Sequence, residues 1–218
     1  MEPRPRSRRS TLPRWAPRTD LDIALRHGGG ARSTPFIDVI EARRSIRELG
    51  RIAPDELGPL LWYSARVRRA GGADGWQSRN APSAGGLHPV ELFVVPHPDV
   101  EVFHYDPVRH VLGRLAGIAG GSLAKVCNSS RSILTSNEGA LIYLACDQRR
   151  SEACYENAES LLWRDAGCVI ATLQLVATWL KLGACPLGLL GEGLGKFVAP
   201  DLIPVGMVAI GRLRRALG

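Results

Sequence analysis

RNAPSAGGLHPVELFVV, residues 79–95, contains a loop, a stop and a strand. Pro82-Ser83-Ala84-Gly85-Gly86 is a run of small residues where a flat ligand can lie close to the backbone. His88-Pro89 ends the loop, because the residue before a proline is pushed out of the α region. Val90–Val95 is apolar and β-branched, the composition of a strand. Working outward, RRSIR at 43–47 closes an apolar helix pattern with a cluster of cations. A small-residue loop and a cationic helix end together point to a ligand with a planar ring and an anionic tail.

The flanking patterns give an α+β chain. Thr34 and Pro35 open a helix as N-cap and N1, with Phe36, Val39 and Ile40 on one face. Pro54 opens a second, with Leu57, Leu60, Leu61, Tyr63 and Val67 as its apolar side. A polar link follows over Arg68–Asn80. Strands are expected over Glu101–Tyr105 and Val111–Leu115, with Asp106-Pro107 in the turn, and over Ala140–Cys146 and Val205–Ile210. Ile118–Val126 reads as a short helix. Glu152–Leu182 is the longest helix pattern and carries no charge from Ala166 to Leu180. That run falls short of the roughly 18 apolar residues of a membrane span, so it reads as a buried core helix ended by Gly183.

A length of 218 residues suits one domain with a large core. The net charge of +7 is carried almost wholly by arginine, since only Lys125, Lys181 and Lys196 are lysines. Six arginines fall in the first 20 residues, so the excess belongs largely to a tail and not to a nucleic-acid surface. Residues 1–34 show no apolar period and read as a basic, disordered arm, with the globular domain over 35–218. Ser7-Arg8-Arg9 resembles a twin-arginine signal, but no apolar region follows it. The five cysteines form no CxxC pair and no metal-ligand spacing, which fits reduced thiols in a cytoplasmic protein without a metal. GEGLG follows a helix and is not a dinucleotide fingerprint.

RRSIR, LLWYSARV, the APSAGGLHPVELFVV stretch, VFHYDPVRHVLGRL, the YENAESLLWRDAGC helix, PLG and VAIGR occur in one order from about residue 36 to 212. In that order they resemble the nitroreductase superfamily, specifically its SagB-type branch, which includes azoline oxidases of peptide natural products. The resemblance implies a nitroreductase-like fold: a central, mostly antiparallel sheet flanked by helices, with a long buried central helix. It also implies FMN at the interface of a homodimer. Arg43, Arg44, Ser45 and Arg47 match the phosphate and ribityl contacts, with Arg47 also placed to stabilise charge at N1 and O2. Pro82, Ser83, Ala84 and Gly85 match the loop that reaches the partner's flavin. Leu187, Gly188 and Leu189 match the segment whose backbone lies near N5, and Arg212, with Arg214 as an option, the C-terminal phosphate contact. Tyr155 matches the tyrosine of a Lys–Tyr pair that removes a substrate proton; here Cys154 stands in place of the lysine. His88 and Glu192 are further titratable residues.

Three functions follow from these residues. One is an FMN-dependent dehydrogenase or oxidase of natural-product modification acting on a small-molecule or peptide substrate. Another is an NAD(P)H-fed nitro or quinone reductase. The third is a flavin-fold partner of a biosynthetic complex without its own turnover.

Overall fold

The computed structural model describes all residues except 9, 11, 29–32, 72–75, 119 and 215–218. The middle of the expected polar link and the chain end after Arg214 therefore lie outside the described residues. The strands are β1 (Arg4–Pro5), β2 (Thr19–Ala24), β3 (Glu48–Gly50), β4 (Arg69–Gly71), β5 (Trp76–Ser78), β6 (Val90–Val95), β7 (Phe103–Asp106), β8 (Val111–Leu115), β9 (Ser136–Asn137), β10 (Ala140–Cys146), β11 (Tyr155–Glu156), β12 (Leu182–Leu187) and β13 (Ile203–Leu213). The helices are α1 (Phe36–Ala42), α2 (Gly58–Ala65), α3 (Gly120–Arg131), α4 (Gln148–Glu152), α5 (Glu159–Trp179) and α6 (Glu192–Val198).

Nine strands form one sheet in the order β2-β8-β7-β6-β10-β13-β3-β9, with β12 also on β13. Every pairing is antiparallel except β3 with β9. β6 and β10 are buried at every position, because helices cover both faces. Alternation still sorts their side chains. Val90, Leu92, Val94, Ile142 and Leu144 meet the inner face of α5, whereas Phe93, Val95, Leu141 and Tyr143 share the opposite core with residues of α3 and α6. This is the α+β architecture the sequence implies, with helices flanking a large antiparallel sheet.

The long helix is shorter than expected. Its first turn is replaced by α4 and β11, since Asn157 takes a left-handed φ of 56° that interrupts the helix. Gly183 does not cap it either. The helix stops at Trp179, Lys181 turns with φ 61°, and Gly183 lies within β12. A side chain at Gly183 would strike Leu49 and Ile46, so the glycine serves close packing. Leu161, Leu162, Ala166, Leu173 and Ala177 face the core, while Trp163 is exposed. α5 is thus buried along one side only. It is long and apolar enough to cross a membrane, but here that side packs on the sheet.

Among the described residues of the first 34, several join the body where the sequence alone reads as a disordered arm. β2 adds to the sheet edge beside β8, Leu25 enters the core, and Trp15 packs edge-on against Phe93. Arg14 grips Glu91, the one charged residue of β6 and fully buried. One contact runs from Arg14 Nε to Glu91 Oε1 at 2.8 Å, and a second joins Nη2 to Oε2. His104 Nε2 reaches the same carboxylate at 2.9 Å. Burial favours the neutral acid, but Arg14 and His104 overrule it and hold Glu91 at about 2. The segment lacks apolar periodicity because backbone ladders and a buried ion pair, not a core stripe, fix it.

Candidate active site

Two groups of expected site residues come together at opposite ends of α5. The first is built on β12. Arg43 caps α1 and the chain then runs extended beside β12, with Ile46 N donating to Ala184 O at 2.9 Å. Arg43, Arg44, Ser45 and Arg47 are all exposed. None of the three arginines takes part in an ion pair among the described residues. Arg44 lines a cavity of about 300 Å³ with Ile46, Thr178, Lys181 and Leu213. Burial raises the Cys185 thiol, and the Arg47 charge partly offsets that; the Ile46 N–Ala184 O bond sets the adjoining backbone beside the middle of β12. At its far end Gly188 and Leu189 border a second cavity of about 310 Å³. A Cβ at Gly188 would meet nothing within 4 Å, so the backbone there is open to a ligand. Leu187, the last residue of the strand, is buried. Glu192 lines the same second cavity.

The structure does not bring Arg212 to this group. It pairs with Gly50 and Leu182 on the backbone, but its guanidinium is bonded to Glu56, and it lines cavities with Ala53 instead of Arg44. Adjacent strand residues face opposite sides; Leu213 takes the Arg44 cavity and Arg212 the other. Arg214 is paired with Glu138 at 3.2 Å.

The second group is the Pro82–Gly85 loop, held from below by Asp165 of α5. Ser83 Oγ donates to Asp165 Oδ2 at 2.5 Å, and Ala84 N donates to Oδ1 at 3.1 Å. His88 N closes the loop by donating to Ser83 Oγ at 2.9 Å. The cavity under the loop is about 20 Å³, room for roughly one water, so a ring can meet this loop only from outside. Gly85 has φ 60°, and a Cβ there would lie 2.9 Å from the Tyr155 hydroxyl. Glycine is needed twice over, for the left-handed backbone and for the tyrosine. Tyr155 stands in β11, ahead of α5 and not on it. Cys154 is buried, with its thiol 3.8 Å from Ser10 O, an acceptor. That contact ties the side chain to the N-terminal segment and leaves it buried away from the loop's open side.

Asp165 and Arg14 escaped the sequence reading. The available signal for Asp165 is its position as the last acid before the uncharged Ala166–Leu180 run. Burial raises its pKa, partly opposed by Ser83 and Ala84. His88 is structural. Burial first, and the Arg79 charge second, depress it to about 4, and its Nε2 lies 3.0 Å from Gln77 O, so that nitrogen carries the proton. The unfolded chain binds a proton at His88 near pH 6.5 and the folded chain only near 4. Stability therefore falls as pH drops through that window, by up to about 3 kcal/mol. His88→Asn, which tolerates the φ of 47°, should flatten the fall in melting temperature between about pH 6.5 and 4. An unchanged slope would assign it to other groups.

The Nitroreductase family model matches residues 40–198. The chain belongs to the nitroreductase family. This nitroreductase-family chain superposes on a nitroreductase-type protein of Ralstonia eutropha with TM-score 0.71 at 23% identity, covering 99% of this chain and 100% of that one. The Escherichia coli microcin synthetase McbBCD complex with truncated pro-MccB17 bound gives 0.61 at 15%, covering 88% and 79%. A nitroreductase-type protein of Exiguobacterium sibiricum in complex with FMN gives 0.55 at 16%, covering 85% and 91%. No curated protein matches. At these identities the structural likeness speaks to the fold.

Proposed function

We propose that the protein is an FMN-dependent oxidoreductase that binds its flavin along β12. The observation that carries this is the set Arg43, Arg44 and Arg47, three exposed guanidiniums without carboxylate partners among the described residues, on a segment beside a strand that leads to the open Gly188. Guanidinium forks suit phosphate oxygens, and the open backbone at Gly188 suits a ring. The donor set therefore fits FMN, and FMN-bound relatives share the fold. Bound there, FMN supplies two-electron redox chemistry. Arg44 and Arg43 hold the phosphate, and Arg47 offsets charge gathered on the ring.

The purified protein should be yellow with noncovalent FMN. Arg44→Ala should weaken FMN by roughly ten- to hundredfold, from the loss of a charge-assisted contact of about 1.5–3 kcal/mol. Arg212→Ala should weaken it less, because Glu56 already holds that guanidinium. Fluorescence titration of the apoprotein measures both, and a colourless protein that refuses added FMN refutes the assignment.

A homodimer completes the site. Asp165 and Thr178 are 13 positions apart on one helix, about 20 Å at 1.5 Å per residue, so one chain's PSAGG loop stands far from its own β12 group. Antiparallel packing of two α5 helices across a two-fold axis puts each loop beside the partner's cations. Phe36, Ile37 and Ile40 of α1 and Trp163 of α5 are exposed and supply the apolar face for it. Light scattering should give twice the chain mass, and a monomer with full flavin would refute this arrangement.

Tyr155 favours the dehydrogenase of natural-product modification over a nitro or quinone reductase. Its hydroxyl sits on Gly85, the residue that reaches the flavin in this dimer, where it can take a substrate proton. A thiazoline or oxazoline ring is the substrate class, and a multi-enzyme relative that holds a peptide shares the fold.

A further inference from the structure

We propose that Arg4, Pro5, Arg6 and Ser10 form a positioning strap for Tyr155, which fixes the tyrosine hydroxyl over Gly85 by pairing with the backbone that carries it. The proposal rests on the proton-accepting role given to Tyr155 above. Register pairs Arg4 with Glu156 and Pro5 with Tyr155. Arg6 N donates to Cys154 O at 2.9 Å and Ser10 N to Ala153 O at 3.2 Å. Arg6 Nε donates to Glu152 O at 2.6 Å, and Asn157 Nδ2 to Glu2 O at 3.2 Å. Each residue from Glu152 to Asn157 is therefore paired with the N-terminal segment.

Among the described residues the segment makes few other backbone hydrogen bonds. It leaves α4, passes through the left-handed Asn157 and enters α5 at Glu159. Its remaining backbone bonds, Ala153 N to Arg149 O and Cys154 N to Ser151 O, belong to the end of α4. Among the described residues no hydrogen bond fixes the Tyr155 hydroxyl, so the backbone and the contact with Gly85 aim the ring. A misplacement of about 1 Å at a reacting group can cost on the order of 100-fold in rate.

The strap differs from the rest of the N-terminal region. Arg4–Arg8 are exposed and joined to the body by surface hydrogen bonds, whereas Trp15 and Arg14 reach the core. Exposed backbone pairing of this kind opens easily. Its loss should leave the core standing and free only the tyrosine segment. Arg6 is accordingly a positioning residue and does not touch the reacting atoms.

The test deletes residues 1–10, leaving Arg14 and Trp15, and uses the flavin-loaded dimer. Amide exchange over 153–157 should speed up at least about tenfold, with flavin content unchanged. Air-free single-turnover flavin bleaching by a synthetic thiazoline carboxamide should slow by roughly ten- to hundredfold. In a Tyr155→Phe background the deletion should cause no further loss, the non-additivity expected of residues acting as one unit. Arg6→Pro, which removes the main-chain donor, should reproduce part of the effect, and Arg6→Lys should not. Unchanged exchange over 153–157 overturns the strap whatever Tyr155 does. Faster exchange with unchanged bleaching overturns its positioning role. A silent Tyr155→Phe in the full-length chain overturns the parent reading instead, and is seen without any deletion.

Discussion

Arg14→Ala should destabilise the protein by about 3–5 kcal/mol, the cost of leaving a buried carboxylate without its partner. For a chain of this length that corresponds to a fall in melting temperature of roughly 10 °C. Glu91 is fully buried, and in the variant it keeps the contact with His104 and the more distant charges of Arg79 and Arg150 but loses its paired guanidinium. Glu91→Gln added to Arg14→Ala should recover part of the loss, because it removes the charge that was stranded. Acid should act on the same pair. Glu91 titrates near 4.5 when unfolded and at about 2 when folded, so its contribution is complete above about pH 4.5 and disappears as pH falls toward 2. Thermal unfolding of the parent and the two variants at neutral pH decides the matter. An Arg14→Ala protein that melts with the parent would show that the Arg14–Glu91 pair contributes nothing to stability.

Tyr155→Phe should slow turnover by about two orders of magnitude while flavin content and melting temperature barely change, since a positioned base contributes about 10²–10⁴-fold. The substitution deletes the hydroxyl that faces Gly85 and keeps the ring. In an oxidation of a thiazoline, one proton must leave the atom next to the one that loses the electron pair, and the Tyr155 hydroxyl is the group that stands against Gly85. A quinone or nitro compound can take its protons from water, so a reductase should be indifferent to the change. Single-turnover bleaching by a thiazoline, compared with steady-state quinone reduction by NADPH, separates the two. Equal bleaching rates in parent and variant would remove Tyr155 from the mechanism and return the balance to the reductase.

The sheet and the loop were legible in the residues alone. β6, β8 and β10 occupy the expected spans, 90–95, 111–115 and 140–146; β6 and β10 are buried on both faces and so mostly apolar along their length, while β8 keeps Arg114 on its open side. The PSAGG loop was legible because small residues and a pre-proline stop impose backbone geometry locally. RRSIR stood out as cations at a helix end, and the structure sets them along β12. What the sequence could not show were the contacts made by partners far along the chain. Arg14 and Glu91 are 77 residues apart, and Ser83 and Asp165 82; neither pair leaves a periodic trace. The N-terminal segment reads as disordered because it buries little apolar surface, yet its backbone is held by β8 and β11 and one of its charges by a buried carboxylate. Arg212 shows the same limit. The family resemblance implies a phosphate contact for it, but strand alternation turns its side chain away from Arg44 and onto Glu56, and only the register of β13 against its neighbours decides which way it points.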